Sequence, residues 1–454
     1  MANFELTREF VDKLKALIEN QDNEGVSQIL EDIHPADIAE LYEELNIDEA
    51  KYIYFLLDDD RAADVIIELD ENDRLKFLKA LPSDVIAHRF IDKMDSDDAA
   101  DVISEFDSER QQEVLSHIED VNVAGDIVDL LNYDEDSAGG LMAKELIKVK
   151  ENWSIPTCLR SMRRQAEEID EVYYVYVVDN NGVLKGTLSL KKMLLSSADK
   201  HVRDIYYPDV ISVGVDASSE EVSNIMNKYD LVALPVVDQV GRLVGRITID
   251  DVMDVMREEA EKDYALASGI TGDVEASDSV WLLTRARVPW LFIGLIGGLF
   301  GSRVVGSFEG VLDIYPQLAF FMPLIAAMGG NVGIQSSAIV VQSIAAGTTG
   351  LDSPLRRLIK EFSVAFLNAT VLSVLAFGYN YFLGSPDALT LTVSGAMFSV
   401  IIFASVFGAL VPLLLDKVKI DPAVATGPFV TTINDIIGMG IYLTIGTFFY
   451  GWLT

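Results

Sequence analysis

The sequence predicts a multidomain membrane protein: an acidic all-α domain of helical repeats, a tandem α/β pair, a connecting helix and a five-span α-helical membrane domain. Three observations predict it. The first is charge. Against 35 Lys/Arg stand 72 Asp/Glu, a net of −37 over 454 residues, and the surplus stops at Pro289, after which 8 acids meet 6 bases. The second is internal repetition in the acidic part, at periods of 37 and 59 residues. The third is five apolar stretches after Pro289, each long enough to cross a bilayer, which takes about 20 residues.

The same composition excludes several functions. So acidic a surface repels nucleic acid and suits cations or basic partners. One cysteine, Cys158, rules out a disulfide framework and thiolate metal cages. The four histidines are scattered without ligand spacing, so a metal here is a hard ion held by oxygen. No nucleophile–base arrangement, Walker loop or hydrolase spacing marks an enzyme. The start, MANFELTREF, has no basic-then-apolar signal segment, which places the front half in the cytoplasm.

Residues 1–135 read as all-helical. DDRAADVIIELD (59–70) and SDDAADVISEFD (96–107) align at the 37-residue period, as stacked helical hairpins do. Asp60 and Asp64 share a helix face, as do Asp97 and Asp101; in isolation each pair reads as a solvated acidic surface. The second repeat sets YVVDNNGVLKGTLSLKKM (176–193) against PVVDQVGRLVGRITIDDV (235–252). Each copy is a strand, a turn, a strand and a helix. Next comes DDVMDVMREEAEKD, where Asp251, Asp254, Glu258 and Glu261 recur at steps of three and four. Such a stripe repels itself by a few tenths of a kcal/mol per pair, which a bound divalent cation would relieve. From there to Pro289 the chain can run as one connecting helix into the membrane.

The spans are expected at 288–308, 317–346, 360–384, 389–415 and 421–453. With a cytoplasmic start, the loops GTTGLDSPLRRLIKE and LDKVKID face the cytoplasm and carry Arg356, Arg357, Lys360, Lys417 and Lys419. The outer loops SFEGVLDIYPQ and GSPDA carry only acids. This bias predicts a multi-pass protein of the plasma (inner) membrane, N-terminus inside and C-terminus outside.

Within the fifth span lies VTTINDIIG. Counted from Asp421 at about 1.5 Å per residue, Asp435 sits about 21 Å along the helix. A carboxylate at that depth costs about 3 kcal/mol on insertion scales. It must be protonated and hydrogen-bonded to another helix, hydrated in a cavity, or neutralised by a passing cation. Thr431, one turn earlier, shares its face, and Thr432 and Asn434 offer further oxygens. The second span, PLIAAMGGNVGIQSSA, is the expected facing wall. Asn331 and Gln335 lie on one face, and Gly329, Gly330 and Gly333 permit close approach or local unwinding. Neutral oxygens with one carboxylate suit hydrated Mg²⁺, which dehydrates reluctantly.

These motifs carry two resemblances. The tandem repeat resembles a pair of CBS domains, modules that often bind adenine nucleotides. The second copy keeps the family's T-x-x-D as Thr248 and Asp251, whereas the first has Ser189 and Lys192. A bound ATP would stack on Tyr174. The whole chain, through GGNVGIQ, DPAVATGPFVTTINDIIG, YDLVALPVVD and DDVMDVMREEAEKD, resembles the MgtE family of magnesium channels or transporters.

That resemblance implies an N-domain (1–135), CBS domains at 136–205 and 206–263, a connecting or plug helix (264–287) and a membrane domain (288–454). It implies a homodimer with the pore at the subunit interface, closed when Mg²⁺ occupies acidic sites between cytosolic domains. By position, Asp435 matches the pore carboxylate, with Asn331 beside it, and Asp421 an acid of the conducting path. Sensor ligands would be Asp97, Asp101, Glu220, Asp230, Asp251, Asp254, Glu259 and Asp263. Lys262 departs from the family, which has an acid there. Two rival readings are a proton- or sodium-coupled transporter using Asp435, and a CBS module merely anchored by the apolar third.

Overall fold

The computed structural model describes residues 6–167, 169, 172–272, 274, 279–345, 354–425 and 427–453. It divides into two compact units, Met1–Met256 and Arg257–Thr454.

The first unit begins with short helices whose repeat is visible in the packing. α1 (Asp59–Ile67) buries Ala62, Ala63, Val65 and Ile66; α2 (Ser96–Ser104), one period later, buries Ala99, Ala100, Val102 and Ile103. Both are preceded by an aspartate. Asp58 caps α1 by accepting from the Arg61 amide, whereas Asp95 makes no cap bond and lies 3.7 Å from Arg246. Arginines close the hairpins by donating to carbonyls at the ends of earlier helices: Arg61 to Leu30 and Ile33, Arg89 to Tyr54 and Leu57. Carbonyls at a helix end have no partner in their own helix, so each contact satisfies groups that would otherwise need water.

Two three-stranded sheets follow. β1 (Ile147–Lys150) pairs parallel with β2 (Val175–Val178), which pairs antiparallel with β3 (Leu184–Leu188). Between β1 and β2 lies α3 (Ile155–Gln165). The second copy repeats this with β4 (Val213–Gly214), α4 (Ser219–Tyr229), β5 (Ala233–Val237) and β6 (Leu243–Thr248). The two-strand repeat read from sequence therefore lacked β1 and β4, whose four and two residues are too short to show alternation. The cores are unequal in reach. Val213, Met226, Leu234, Ile247 and Val252 of the second copy join the core of the helical repeats, while the first copy packs around Val149, Cys158 and Val177 by itself. α5 (Ile249–Ala267) leaves the second sheet directly.

Among the described residues the second unit holds five helices long and apolar enough to cross a membrane: α6 (Val280–Gly306), α7 (Met322–Ala345, preceded by a 3₁₀ turn), α8 (Pro354–Phe382), α9 (Asp387–Lys417) and α10 (Pro428–Leu453). α9 packs against α7, α8 and α10, and α10 also against α6 and α7.

Several expectations change here. Residues 264–287 do not form one helix. α5 stops at Ala267, Gly269 and Gly272 take left-handed φ of 75° and 85°, and α6 starts at Val280 behind the Ser279 cap. Glycine adopts that conformation without steric cost, so the pair ends a helix that periodicity alone would continue. Residues 273 and 275–278 of that segment lie outside the described residues, as do 346–353 of the second loop. Arg356, Arg357 and Lys360 belong to α8 rather than to a loop. The segment 307–317, expected as a loop, contains a short helix, Glu309–Ile314. The fifth span starts at Pro428, not 421. Pro422–Ala425 is a separate 3₁₀ turn opened by Asp421, whose Oδ1 accepts from the Ala423 amide at 2.8 Å.

Candidate functional site

Two acidic centres stand out, one in each unit. In the second unit Asp435 occupies the eighth position of α10, about 10 Å from its start at 1.5 Å per residue rather than 21 Å. It is half-buried, and among the described residues it has neither an ion pair nor a hydrogen bond. α7 approaches closely on this side. A Cβ built on Gly330 would lie 3.2 Å from the Thr431 methyl and 3.7 Å from Asp435 Oδ1. One turn on, a Cβ on Gly333 would fall 1.9 Å from Asn434 Nδ2, so only glycine fits.

The glycines thus serve approach, not unwinding, for α7 is continuous through them. The expected oxygens sort by face. Thr431 stays with Asp435; Thr432 turns to Gly297 of α6; Asn434 is 1 % exposed and turns to Gly333, with neither amide atom hydrogen-bonded. Asn331 and Gln335 are exposed on α7 in the single chain, and Asp421 is exposed ahead of α10.

The second centre lies where α2 meets the start of α5 in the first unit. Asp97 is 9 % exposed, which overturns the solvated reading for this residue; Asp60 and Asp64 are exposed and keep it. Burial, then the nearby Asp98, Asp251, Asp95 and Glu145, hold the Asp97 carboxyl well above the usual carboxylate range. Burial, then Asp251, Asp101 and Asp95, push Asp98 up to about 7 against the pull of Arg74. Asp101 keeps an exposed rim, yet burial of its carboxyl and Glu135, opposed by Arg74, bring it to about 7 as well. Burial also raises Asp251, although Thr248 donates to its Oδ2 from both amide (2.9 Å) and hydroxyl (2.7 Å).

Asp95, Asp97 and Glu145 each offer an oxygen, all within 4.8 Å of one another. Ser96 holds Glu145 through its hydroxyl (2.7 Å) and amide (3.2 Å). Three crowded carboxylate oxygens, with the buried Asp97 held in its protonated form, are a donor set that a hard divalent cation relieves, so the residues fit one.

Sequence reasoning missed Asp95, Asp98 and Glu145. Asp98 was in view, beside Asp97. Glu145 lies 49 residues beyond Ser96, and no periodicity links them.

Other expected ligands are dispersed. Glu220 begins α4, and Asp230 ends it in a left-handed cap (φ 51°), so a helix length of about 15 Å separates them. Asp254, Glu258 and Glu259 are exposed along α5, and Asp263 is partly buried near its end.

Residues 322–445 match the MgtE divalent cation transporter model, 33–136 the MgtE intracellular N domain, and 138–199 and 202–258 the CBS domain. The magnesium transporter MgtE of Thermus thermophilus is 34 % identical over 95 % of this chain and 96 % of its own. The chain belongs to the MgtE family.

A second member, the magnesium transporter MgtE of Bacillus subtilis, is 31 % identical over 93 % of each chain. Two solved structures resemble the part of the chain that precedes the membrane helices. One, the cytosolic domain of the Mg²⁺ channel MgtE in complex with ATP, is 35 % identical, with a TM-score of 0.51 over 54 % of this chain and 99 % of that one. The other, the soluble part of a magnesium transporter, is 28 % identical, with a TM-score of 0.50 over 56 % and 98 %. The relatives are transporters rather than enzymes, and this MgtE member is a multi-pass membrane protein.

Proposed function

We propose that the chain is a Mg²⁺-selective channel for magnesium uptake and homeostasis, gated by cytoplasmic Mg²⁺ at its acidic cytosolic centre. The observation that carries the reading is Asp435: a half-buried carboxylate with no cationic partner among the described residues, on a membrane helix that packs against glycine. Such a group is tolerable where a hard cation visits. Thr431 lies beside it. Asn331 and Gln335 sit on a face of α7 that one chain leaves open, which supports a homodimer whose second copy completes the pore. Asp421 would meet the ion near the cytoplasmic side, with the N-terminus inside, the C-terminus outside and the domain limits given above.

Gating follows from repulsion. With bare carboxylates, Asp97, Asp98, Asp101 and Asp251 push α2 away from α5; sharing a divalent cation holds them together. A population shift between the two states needs several such sites, because each contributes only its differential affinity. Asp254, Glu258, Glu259, Asp263, Glu220 and Asp230 supply the rest.

A nucleotide fits the pattern residues poorly. Asp251 is engaged by Thr248 and faces Asp97 and Asp98, and in the first copy Lys192 stands 4.1 Å over the Tyr207 ring where an acid belongs. Tyr174 packs on Tyr176. No nucleotide-dependent step is assigned to these residues.

In proteoliposomes the wild-type chain is expected to pass Mg²⁺ irrespective of a proton or sodium gradient, and Asp435→Ala to lose nearly all flux. Undiminished flux in the variant refutes the pore; strict dependence on a gradient replaces the channel by a coupled transporter. Asp251→Ala with Asp254→Ala is expected to conduct at internal Mg²⁺ levels that silence the wild type. Unchanged inhibition there removes the sensor assignment.

A further inference from the structure

Two of the four histidines meet within the helical repeats, although residues 88 and 117 stand far apart in sequence. His88 is next to last in the helix Ser83–Arg89, and His117 ends the helix Ser108–His117. The two helices pack on each other. Their imidazole rings meet edge to face, with 6.5 Å between centres and 72° between planes, and both residues are exposed. We propose that His88 and His117 bind one borderline transition-metal ion of the Zn²⁺ or Ni²⁺ class, with Asp92 orienting His88. This pair shares no residue with the centres at Asp435 and Asp97. Sequence spacing argued against such a site because spacing cannot show that two helices meet.

Ligand chemistry is the first argument. His88 Nδ1 lies 3.2 Å from Asp92 Oδ2, four residues on. An ionised carboxylate only accepts, so Nδ1 carries the proton and Nε2 of the neutral ring keeps its lone pair. Metal-binding histidines are held in this way, the second ring nitrogen donating to a carboxylate. Imidazole nitrogen suits Zn and Ni, whereas Mg²⁺ takes oxygen. The pair therefore selects a different ion from the one the acidic centres fit.

Geometry is the second. Two imidazole nitrogens bonded at about 2.0–2.1 Å to one tetrahedral ion put their ring centres about 5–6 Å apart. The rings stand within about 1 Å of that, and the terminal torsion of histidine is broad enough to close the gap. Exposure leaves the remaining positions of the ion to water. Both rings also sit at helix C-termini, the end whose free carbonyls favour positive charge. The neighbouring bases are turned to other partners: Arg89 to Asp59 at 2.6 Å, Lys93 to Asp60 at 3.7 Å and Arg110 to Glu113 at 3.2 Å.

The third argument is that the fold does not account for the rings. His34 is spent on a helix cap, its Nδ1 accepting from the Ala36 amide at 3.3 Å. His88 and His117 cap nothing at an N-terminus, and the core beneath them is supplied by Ile86, Ala87 and Val114. An exposed His–Asp pair adds little to stability.

The test uses the full chain in detergent, stripped with EDTA, dialysed and held in excess Mg²⁺ so that the oxygen sites stay filled. Zn²⁺, and then Ni²⁺, is titrated in competition with a chromophoric chelator. The wild type is expected to bind one equivalent. His117→Gln should weaken binding by about tenfold or more, and His88→Gln with His117→Gln should abolish it. Asp92→Asn should keep the stoichiometry and weaken binding by about tenfold to a hundredfold, as loss of an orienting partner does. His34→Gln should leave the titration unchanged. Melting midpoints measured without metal are expected to match the wild type, and His117→Gln, at a helix end, covers any misfolding of the double variant. The proposal is overturned if no equivalent binds in excess Mg²⁺, if the double-histidine variant retains it, if Asp92→Asn binds as the wild type does, or if His34→Gln loses as much as His117→Gln.

Discussion

At the scale of single residues, the membrane centre depends on what is absent at Gly333. Alanine there puts a methyl group 1.9 Å from Asn434 Nδ2, and Asn434, itself 1 % exposed, has little room to yield. Overpacking of this kind costs about 1–3 kcal/mol. Gly333→Ala is expected to lower the melting midpoint in detergent, and Asn434→Ala in the same chain to restore part of it. No recovery in the double variant would show that the strain lies elsewhere. Asp435 and the glycines were legible in sequence because a charge in an apolar run and a cluster of small residues are local anomalies. Glu145 was not, because its neighbour Ser96 is brought to it only by the fold. Nor could local spacing foresee that Thr432, one residue from Thr431, faces a different helix from Asp435.

At the scale of elements, the membrane helices are tied by a carboxylate that sequence reading passed over. Glu361 of α8 accepts from Ser336 of α7 and from Ser405 of α9, each at 2.6 Å, and the two hydroxyls are themselves 2.9 Å apart. Both serines are buried, at 4 % and 2 % exposure, so removal of the acceptor leaves hydroxyls without that partner in a dry place. The expected penalty of Glu361→Ala is about 1–3 kcal/mol, seen as a lower melting midpoint, with Glu361→Gln milder because an amide oxygen still accepts. Equal melting of all three chains would reduce this junction to a surface contact. Apolar runs and charge sufficed to count the five helices. Their ends were less legible. Proline at 428 and the left-handed glycines at 269 and 272 set them, and hydropathy is blind to backbone conformation.

At the scale of the whole molecule, the acidic front half carries a dependence on pH whose sign is fixed by the acidic centre of the first unit. Asp98 and Asp101 rise from an ordinary value of 3.8 to about 7, chiefly through burial and then through neighbouring acids. Between those two values the folded chain holds protons that the unfolded chain has released. Stability from these groups is therefore complete below pH 3.8 and is lost as pH climbs through 7. In EDTA the melting midpoint of the first unit is expected to fall between pH 5.5 and 8, and the fall to be shallower in Asp98→Asn with Asp101→Asn. Magnesium should reverse it, because a cation replaces the protons that crowded carboxylates otherwise need, and its apparent affinity should grow with pH over the same window. If the midpoint in EDTA instead rises with pH and the asparagine variant behaves as the wild type does, these carboxylates are ionised in the folded state and the repulsion invoked for gating is already compensated by other charges.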